Sequence, residues 1–186
     1  VFINFRNFDF SFTKKMAGLT GWITVSSFCL AGINQGLAIV INKTLDTTAN
    51  AAYGIANQVS GYLNFLSASF STSVAPQLMQ AVGKGDYSKA IILAKFQSKI
   101  AFLLMGLIVI PFSFEMESIL TIWLKEYPSN TSLFAIMIVS SSLIDQPTYG
   151  ITTLFQALGK LAFFTVAHYT PKFLILPLSY LLLNYG

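Results

Sequence analysis

Long apolar stretches, separated by short segments that hold most of the charges, run along the whole chain. A bilayer core of about 30 Å requires roughly 20 mostly apolar residues in a helix. By this measure five stretches are predicted to cross a membrane, at residues 16–42, 51–76, 96–115, 131–158 and 162–186, with Pro76 ending or kinking the second. Strands are excluded because the runs are too long for a barrel and isolated strands in lipid leave backbone groups unpaired. The pattern predicts an all-α integral membrane protein with five transmembrane helices.

The charges between these stretches predict which side of the membrane each connecting segment occupies. Basic residues are enriched in cytoplasmic segments of membrane proteins. Eight of the eleven basic residues, among them Arg6, Lys14, Lys15 and Lys160, lie in or beside segments 1–15, 77–95 and 159–161. Two lie in segments 43–50 and 116–130, and the last lies within a predicted span. The first group of segments is therefore predicted to be cytoplasmic and the second periplasmic.

The composition supports a membrane protein and narrows the function classes. Only 10% of the residues are charged and the mean hydropathy is +0.66, whereas a soluble domain carries about 25% charged residues. The net charge of +4 comes from scattered residues, so we expect no nucleic-acid partner. Cys29 is the only cysteine and has no internal disulfide partner. The chain begins at Val1 and stops just after an apolar run, so we expect it to be a piece of a longer protein.

Amide side chains lie inside the first two spans, next to glycines whose spacing suits close helix contact. Gly32 and Gly36 have the GxxxG spacing that lets a second helix approach. The amides have two interpretations, because an unpaired amide in hydrocarbon is costly. They either hydrogen-bond neighbouring helices or face an aqueous cavity that takes a polar substrate. The amides are Asn34, Gln35, Asn57, Gln58 and Asn64, and Gly54 and Gly61 accompany those of the second span.

Ionisable side chains occur in the middle of the last two spans. Asp145 lies in the fourth and Lys172 in the fifth, and a tight turn joins these spans, so both charges are predicted at similar depth. We expect them to pair or to line a cavity together, because charges within a membrane usually face a partner or a water-filled path. The alternative is that helix kinks at Pro147 and Pro171 expose them to lipid headgroups. His168 precedes Lys172 by one helical turn and shares its face.

The sequence contains no recognisable catalytic constellation. It lacks Cys/His metal spacings, a G-x-S-x-G motif and a phosphate-binding glycine loop. Glu115 and Glu117 are the only close pair of carboxylates, and they lie at the end of the third predicted span. We therefore expect no catalytic residue, metal or cofactor, and an integral-membrane enzyme of envelope glycan synthesis is the less favoured alternative.

Several short motifs resemble one family of transporters. Residues 50–59, NAAYGIANQV, resemble the NAA-x-GIA-x-QV segment of bacterial polysaccharide flippases of the Wzx type, which move O-antigen or capsule repeat units. These proteins belong to the superfamily that includes multidrug (MATE) exporters and the lipid II flippase. Further short matches follow in the same order along nearly the whole chain: Gly36 with Asn42, Ala75-Pro76-Gln77, Gly85-Asp86, Ser98-Lys99, Trp123-Leu124 with Pro128, and Ala157-Leu158-Gly159-Lys160.

The resemblance implies a fold and a function. Such proteins have about twelve to fourteen helices in two pseudo-symmetric bundles, and this chain would be the start of the second bundle, with the N-terminal bundle missing. The family flips polyprenyl-diphosphate-linked oligosaccharides across the bacterial inner membrane by alternating access, for surface polysaccharide and lipopolysaccharide biosynthesis. The partners implied are membrane lipid, that lipid-linked oligosaccharide and the missing bundle. The alternative with the same fold is multidrug or metabolite efflux coupled to H⁺ or Na⁺. Asp145 and Lys172 do not belong to the family's motifs.

Overall fold

Eight α-helices make up nearly all of the part of the chain that the structure describes. The structure is a computed structural model, and it describes residues 10–185, apart from the side chains of residues 10–12, 15, 184 and 185. Within residues 10–185 all regular secondary structure is helical. The helices are α1 (Phe10–Thr44), α2 (Thr47–Gly83), α3 (Tyr87–Phe114), α4 (Met116–Leu124), α5 (Thr131–Asp145), α6 (Thr148–Ala157), α7 (Leu161–Phe173) and α8 (Ile175–Tyr185).

Three helical segments are long and apolar enough to cross a membrane, and the described residues confirm the helical part of the prediction. They are Met16–Thr44, Tyr87–Phe114 and Leu161–Leu183. The second predicted span is not among them, because amides and hydroxyls lower the mean hydropathy of α2. The fourth is not among them either: residues 131–158 form the shorter apolar helix Thr131–Asp145 and, after a two-residue break, α6. Five crossings therefore stay a prediction.

The helices extend beyond the predicted boundaries of the first three spans. α1 begins at Phe10, inside the predicted segment 1–15, and Arg6 lies outside the described residues. α2 does not end at Pro76 but continues to Gly83, since a proline removes one backbone donor and the helix can resume beyond it. Most of the predicted loop 77–95 is therefore helical. The turn itself covers only residues 84–86, with Gly85 at φ +77°.

The predicted periplasmic segment 116–130 contains a short helix, α4, that the sequence analysis missed. Met116 and Leu120 are fully buried against the core formed with α5. Trp123 meets the Tyr62 ring edge-on, with ring centroids 6.4 Å apart. In the sequence, the spacing of Met116 and Leu120 by one helical turn is the pattern that indicates a short helix with one buried face. α4 therefore packs against one end of the core and is part of the folded bundle, not an irregular connecting segment.

Two of the helical segments are interrupted. The first interruption, at Gln146 and Pro147, separates α5 from α6, as the prediction of a kink at Pro147 requires. The second lies at Leu174, between α7 and α8. α7 continues past Pro171 for one more half-turn, and the interruption falls between Pro171 and Pro177. Each proline removes a backbone donor, so the helix is weakest between them.

Hydrogen bonds and close contacts give the relative directions of the helices. The Ser26 and Thr165 hydroxyls lie 2.8 Å apart, and farther along α1 the backbone of Gly36 meets the Leu176 side chain. α1 is therefore parallel to α7 and α8. By the same reasoning α2 is parallel to α5, because Ser60 contacts Ser142 and Ser67 contacts Gln146.

These directions place the basic residues unevenly at the two ends of the bundle. The start of α1, the turn after α2 and the turn after α6 lie at one end, whereas the turn after α1 and the end of α4 lie at the other. This agrees with the predicted alternation of basic and less basic segments. Described lysines at or near the first end are Lys14, Lys84, Lys89, Lys95, Lys99 and Lys160, and those at the second are Lys43 and Lys125.

The hydrophobic core lies between α2, α3, α4 and α5. α6 packs against α2 and α3 beside this core, and α1, α7 and α8 form a second group that contacts the core along one side. Many large apolar side chains point outward from both groups, including Phe28, Leu107 and Phe163, each at least 70% exposed. A surface of this kind fits a lipid environment better than water. The core residues are Ala56, Val59, Leu63, Met105, Val109, Met116, Leu120, Ala135 and Val139.

Candidate substrate cavity

A cavity of about 810 Å³ separates the two groups of helices. α1 and α7 form one wall, and α2, α5 and α6 form the other. Six of the eight polar residues proposed from the sequence line it, so the cavity unites positions far apart in the chain. Its polar lining residues are Ser26, Ser27, Asn34, Tyr53, Asn57, Ser60, Asn64, Ser141, Ser142, Asp145, Thr148, Tyr149, Thr152, Gln156, His168, Tyr169 and Lys172.

Asp145 and Lys172 form an ion pair in the cavity wall. The Nζ of Lys172 lies 2.8 Å from Oδ2 of Asp145. The side chains are 27% exposed for Lys172 and 51% exposed for Asp145, so both retain access to the cavity. The pairing expected from their similar depth is therefore present in the structure. Among residues 10–185, no three His, Cys, Asp or Glu side chains come close enough to hold a metal ion.

The interruption after Asp145 is held in place by a glutamine that the sequence analysis missed. Gln146 is fully buried at the junction of α5 and α6. Its Oε1 accepts a hydrogen bond from Ser67 at 2.5 Å, and its Nε2 donates to Asn64 Oδ1 at 3.0 Å and to the Ser142 carbonyl at 3.2 Å. A buried amide whose donors and acceptor are all used specifies one arrangement of its neighbours. Gln146 therefore positions the end of α5, where the charged residue lies.

Asn64 continues this network toward the cavity. Its Nδ2 donates to the Ser60 and Ser142 hydroxyls at 3.1 and 3.2 Å, and those two hydroxyls lie 2.7 Å apart. Asn64 thus joins α2 to α5 and lines the cavity at once. Asn57 instead donates to the carbonyl of Tyr53, within its own helix, at 2.9 Å. Both interpretations of the amides therefore apply, helix contact at Asn64 and cavity lining at both positions.

Gln35 and Gln58 do not line the cavity. Both are exposed on the outer surface of the described helices. Each directly follows a lining residue, Asn34 or Asn57, and successive helical residues point about 100° apart. The sequence pattern alone did not separate these neighbours, because both members of each pair are amides.

α3 holds the far side of the same interruption. Ser98 donates to the Pro147 carbonyl at 2.6 Å and accepts from the Gly150 N–H at 3.2 Å. A Cβ added at Gly150 would overlap the carbonyl oxygen of Ala94, so the two backbones touch only because this residue is glycine. In the sequence, the one indication of this close helix contact is an isolated glycine in an otherwise helical pattern.

A buried glutamine strengthens the contact between α3 and α6. Gln97 is 1% exposed, and its Nε2 donates to the Ser71 carbonyl at 3.3 Å and to Thr153 Oγ1 at 3.1 Å. One side chain therefore links α2, α3 and α6. Gln97 lies at the polar start of the third predicted span, so the sequence pattern does not distinguish it from an exposed polar residue.

Aromatic rings form part of the cavity wall beside the ion pair. His168 stacks on Phe164 with ring centroids 5.2 Å apart, and it meets Tyr169 edge-on at 5.1 Å. His168 lies one turn from Lys172, as the sequence spacing predicts. The rings offer flat apolar surfaces next to hydrogen-bonding groups, a combination typical of small-molecule sites.

The predicted glycine contacts are present only in part. A Cβ added at Gly36 would come 2.8 Å from Cδ2 of Leu176, so α1 and α8 approach closely there. At Gly32, Gly54 and Gly61 no neighbouring atom among the described residues lies within 4 Å of an added Cβ. Of the two glycines in the GxxxG spacing, only Gly36 therefore contacts another helix. Gly32 lies on an exposed surface of α1.

No protein-family model, curated protein or solved structure matches this chain. The resemblance to polysaccharide flippases accordingly depends on the motif residues of the sequence.

Proposed function

We propose that this chain is part of a membrane transporter that flips lipid-diphosphate-linked oligosaccharide repeat units across the bacterial inner membrane. The observation that carries the proposal is the polar cavity between helices whose outer surfaces are apolar. A soluble ligand site does not need an apolar exterior, and a purely structural membrane bundle does not need a polar cavity. A transporter of a polar cargo needs both.

The chemistry of the lining supports a carbohydrate cargo. Amides and hydroxyls such as Asn34, Asn57 and Ser141 provide both donors and acceptors, which is what the hydroxyls of a sugar require. The aromatic rings around His168 add apolar surface for the face of a sugar ring. The lipid tail would stay in the bilayer, outside this cavity.

Interrupted helices support movement by alternating access. Transporters commonly bind substrate beside discontinuous helices near the middle of the membrane. Here the interruptions at Pro147 and Leu174 belong to the two helical segments that carry Asp145 and Lys172. Small rotations at these interruptions would open the cavity toward one side or the other. In this proposal the chain makes five crossings and forms part of a two-bundle, MATE-like protein.

Cation-coupled efflux of a drug or metabolite is the second candidate, and one observation favours it. The Asp145 carboxylate is half-exposed in the cavity, so H⁺ or Na⁺ could compete with Lys172 for it. In that case the cavity would accept an amphiphilic solute, and the ion would drive its release. We place this candidate second because the sequence motifs resemble those of polysaccharide flippases.

Deletion of the gene for the full-length protein separates the two candidates. A flippase deletion should abolish the surface polysaccharide and leave its lipid-linked precursor in the inner leaflet of the membrane. The matched control is the same deletion carrying a plasmid copy of the intact gene, which should restore the polysaccharide. Normal surface polysaccharide together with raised drug sensitivity would overturn the flippase proposal in favour of efflux.

A further inference from the structure

The cavity lining is balanced in charge. Among the described lining residues, the only Asp, Glu, Lys or Arg side chains are Asp145 and Lys172, and each is the ion-pair partner of the other. The cavity therefore has no spare formal charge with which to hold a charged group. A charged ligand that binds one member of the pair would therefore lie next to the other member, which has the same sign of charge as the ligand.

The pair nevertheless keeps unused hydrogen-bonding capacity. A lysine ammonium has three donors and a carboxylate has about four acceptor positions, and the mutual bond uses one of each. With 27% of Lys172 and 51% of Asp145 exposed, the remaining positions are accessible from the cavity. A donor and an acceptor thus stand side by side, which matches two hydroxyls on adjacent carbons of a sugar.

The surroundings of the pair suit an uncharged ring. His168, one turn from Lys172, is stacked on Phe164, and Tyr169 stands against its edge. Tyr149 and Tyr169 add phenol groups to the lining. An apolar sugar face can pack on such rings while its hydroxyls reach the ion pair.

We propose that the Asp145–Lys172 pair binds neighbouring hydroxyls of an uncharged sugar in the repeat unit and selects against sugars that carry a carboxylate. This inference rests on the proposed function. A carboxylate bound to Lys172 would bring a second negative charge beside Asp145, and the two carboxylates would repel each other in a partly desolvated wall.

Selectivity is testable with two substrates that differ at a single carbon. The probes are a short-chain polyprenyl diphosphate bearing a disaccharide that ends in a neutral hexose, and the same molecule ending in the matching hexuronic acid. Binding to the purified full-length protein is measured by calorimetry. We expect the neutral probe to bind up to about fivefold more tightly, the scale of one partly exposed charge pair. Equal affinity, or tighter binding of the acid, would overturn the inference.

Two reciprocal variants identify the pair as the source of the selectivity. Asp145→Asn frees Lys172, so the preference should reverse toward the acidic probe. Lys172→Gln frees Asp145, so the preference for the neutral probe should grow. A preference unchanged in both folded variants would overturn the inference. Failure of both probes to bind the wild-type protein, with cation-driven drug movement instead, would overturn the proposed function itself.

Discussion

The Nζ of Lys172 lies 2.8 Å from Oδ2 of Asp145, and this bond joins two interrupted helices at the points where they break. Asp145 is the last residue of α5, directly before Gln146 and Pro147. Lys172 lies two residues before the interruption at Leu174. A rotation at either interruption would therefore strain or break the same ion pair. The pair is well placed to couple movement of the two helical segments that line the cavity.

Removing one charge of the pair should reduce transport more than it reduces stability. We expect Asp145→Asn and Lys172→Gln each to lower surface polysaccharide in complemented deletion cells. Because the pair is partly exposed, each change should cost about 1 kcal/mol or less of folding free energy. Surface polysaccharide and the amount of protein in the membrane are measured together.

The double exchange Asp145→Lys with Lys172→Asp provides the control. It restores a pair of opposite charges, so it should recover part of the transport that each single variant loses. A double variant no better than the worse single variant would mean that the residues act independently.

Gly150→Ala should destabilise the protein by about 1–3 kcal/mol, the cost of overpacking a tight contact. The added methyl group would meet the Ala94 carbonyl of α3, which is backbone and not free to move aside. Unfolding of the purified full-length protein in mixed micelles by a denaturing detergent measures the effect.

Gly54→Ala is the matched control for that substitution. Its Cβ would enter open space on an exposed helix surface, and alanine is the better helix former by up to about 1 kcal/mol. It should therefore be neutral or stabilising. Equal destabilisation by both substitutions would argue against the close approach of α3 and α6.

Gln146→Leu should also cost about 1–3 kcal/mol of unfolding free energy, because it leaves buried polar partners unsatisfied. Asn64 and Ser67 would each lose a hydrogen bond to the glutamine amide. The same substitution at the exposed Gln58 leaves the cavity and its network intact, so it should cost far less. A larger loss for Gln58→Leu than for Gln146→Leu would contradict the buried network around the α5–α6 interruption.

Adjacent amides provide a test of whether the cavity is hydrated. In a Cys29→Ala background, cysteine at Asn34 or Asn57 should react with a membrane-impermeant, water-soluble thiol reagent. Cysteine at Gln35 or Gln58 should react more slowly, since those positions face away from the cavity. Mass spectrometry of the labelled protein in membranes gives the four rates.

Equal rates within each pair of neighbouring positions would be incompatible with this cavity. Faster labelling at Gln35 and Gln58 would mean that the aqueous path lies on the opposite faces of α1 and α2.

The sequence predicted the helical architecture and the ion pair because both depend on strong, local signals. Long charge-free runs specify membrane helices, and two charges in neighbouring antiparallel spans are placed at one depth by the connecting turn. Contacts that depend on tertiary packing were not predictable. Gln146 and Gln97 look like ordinary polar residues near span ends, and only the meeting of α2, α3, α5 and α6 makes them buried connectors.

Helix orientation about its own axis explains the remaining differences. The amides at 34 and 35, or at 57 and 58, are equivalent in composition but point about 100° apart. Which of each pair lines the cavity is decided by the position of α7 and α5. Gly32 and Gly36 differ in the same way, because only Gly36 meets α8.

Movement of lipid-linked oligosaccharide across a bilayer tests the central claim most directly. The purified full-length protein is reconstituted into vesicles with a fluorescent short-chain polyprenyl diphosphate that carries a neutral oligosaccharide. A membrane-impermeant lectin added outside then reports how fast sugar from the inner leaflet becomes accessible. The account predicts rapid exposure with the wild-type protein and slow exposure with Asp145→Asn. Exposure no faster than in protein-free vesicles, from vesicles that hold folded protein, would contradict it.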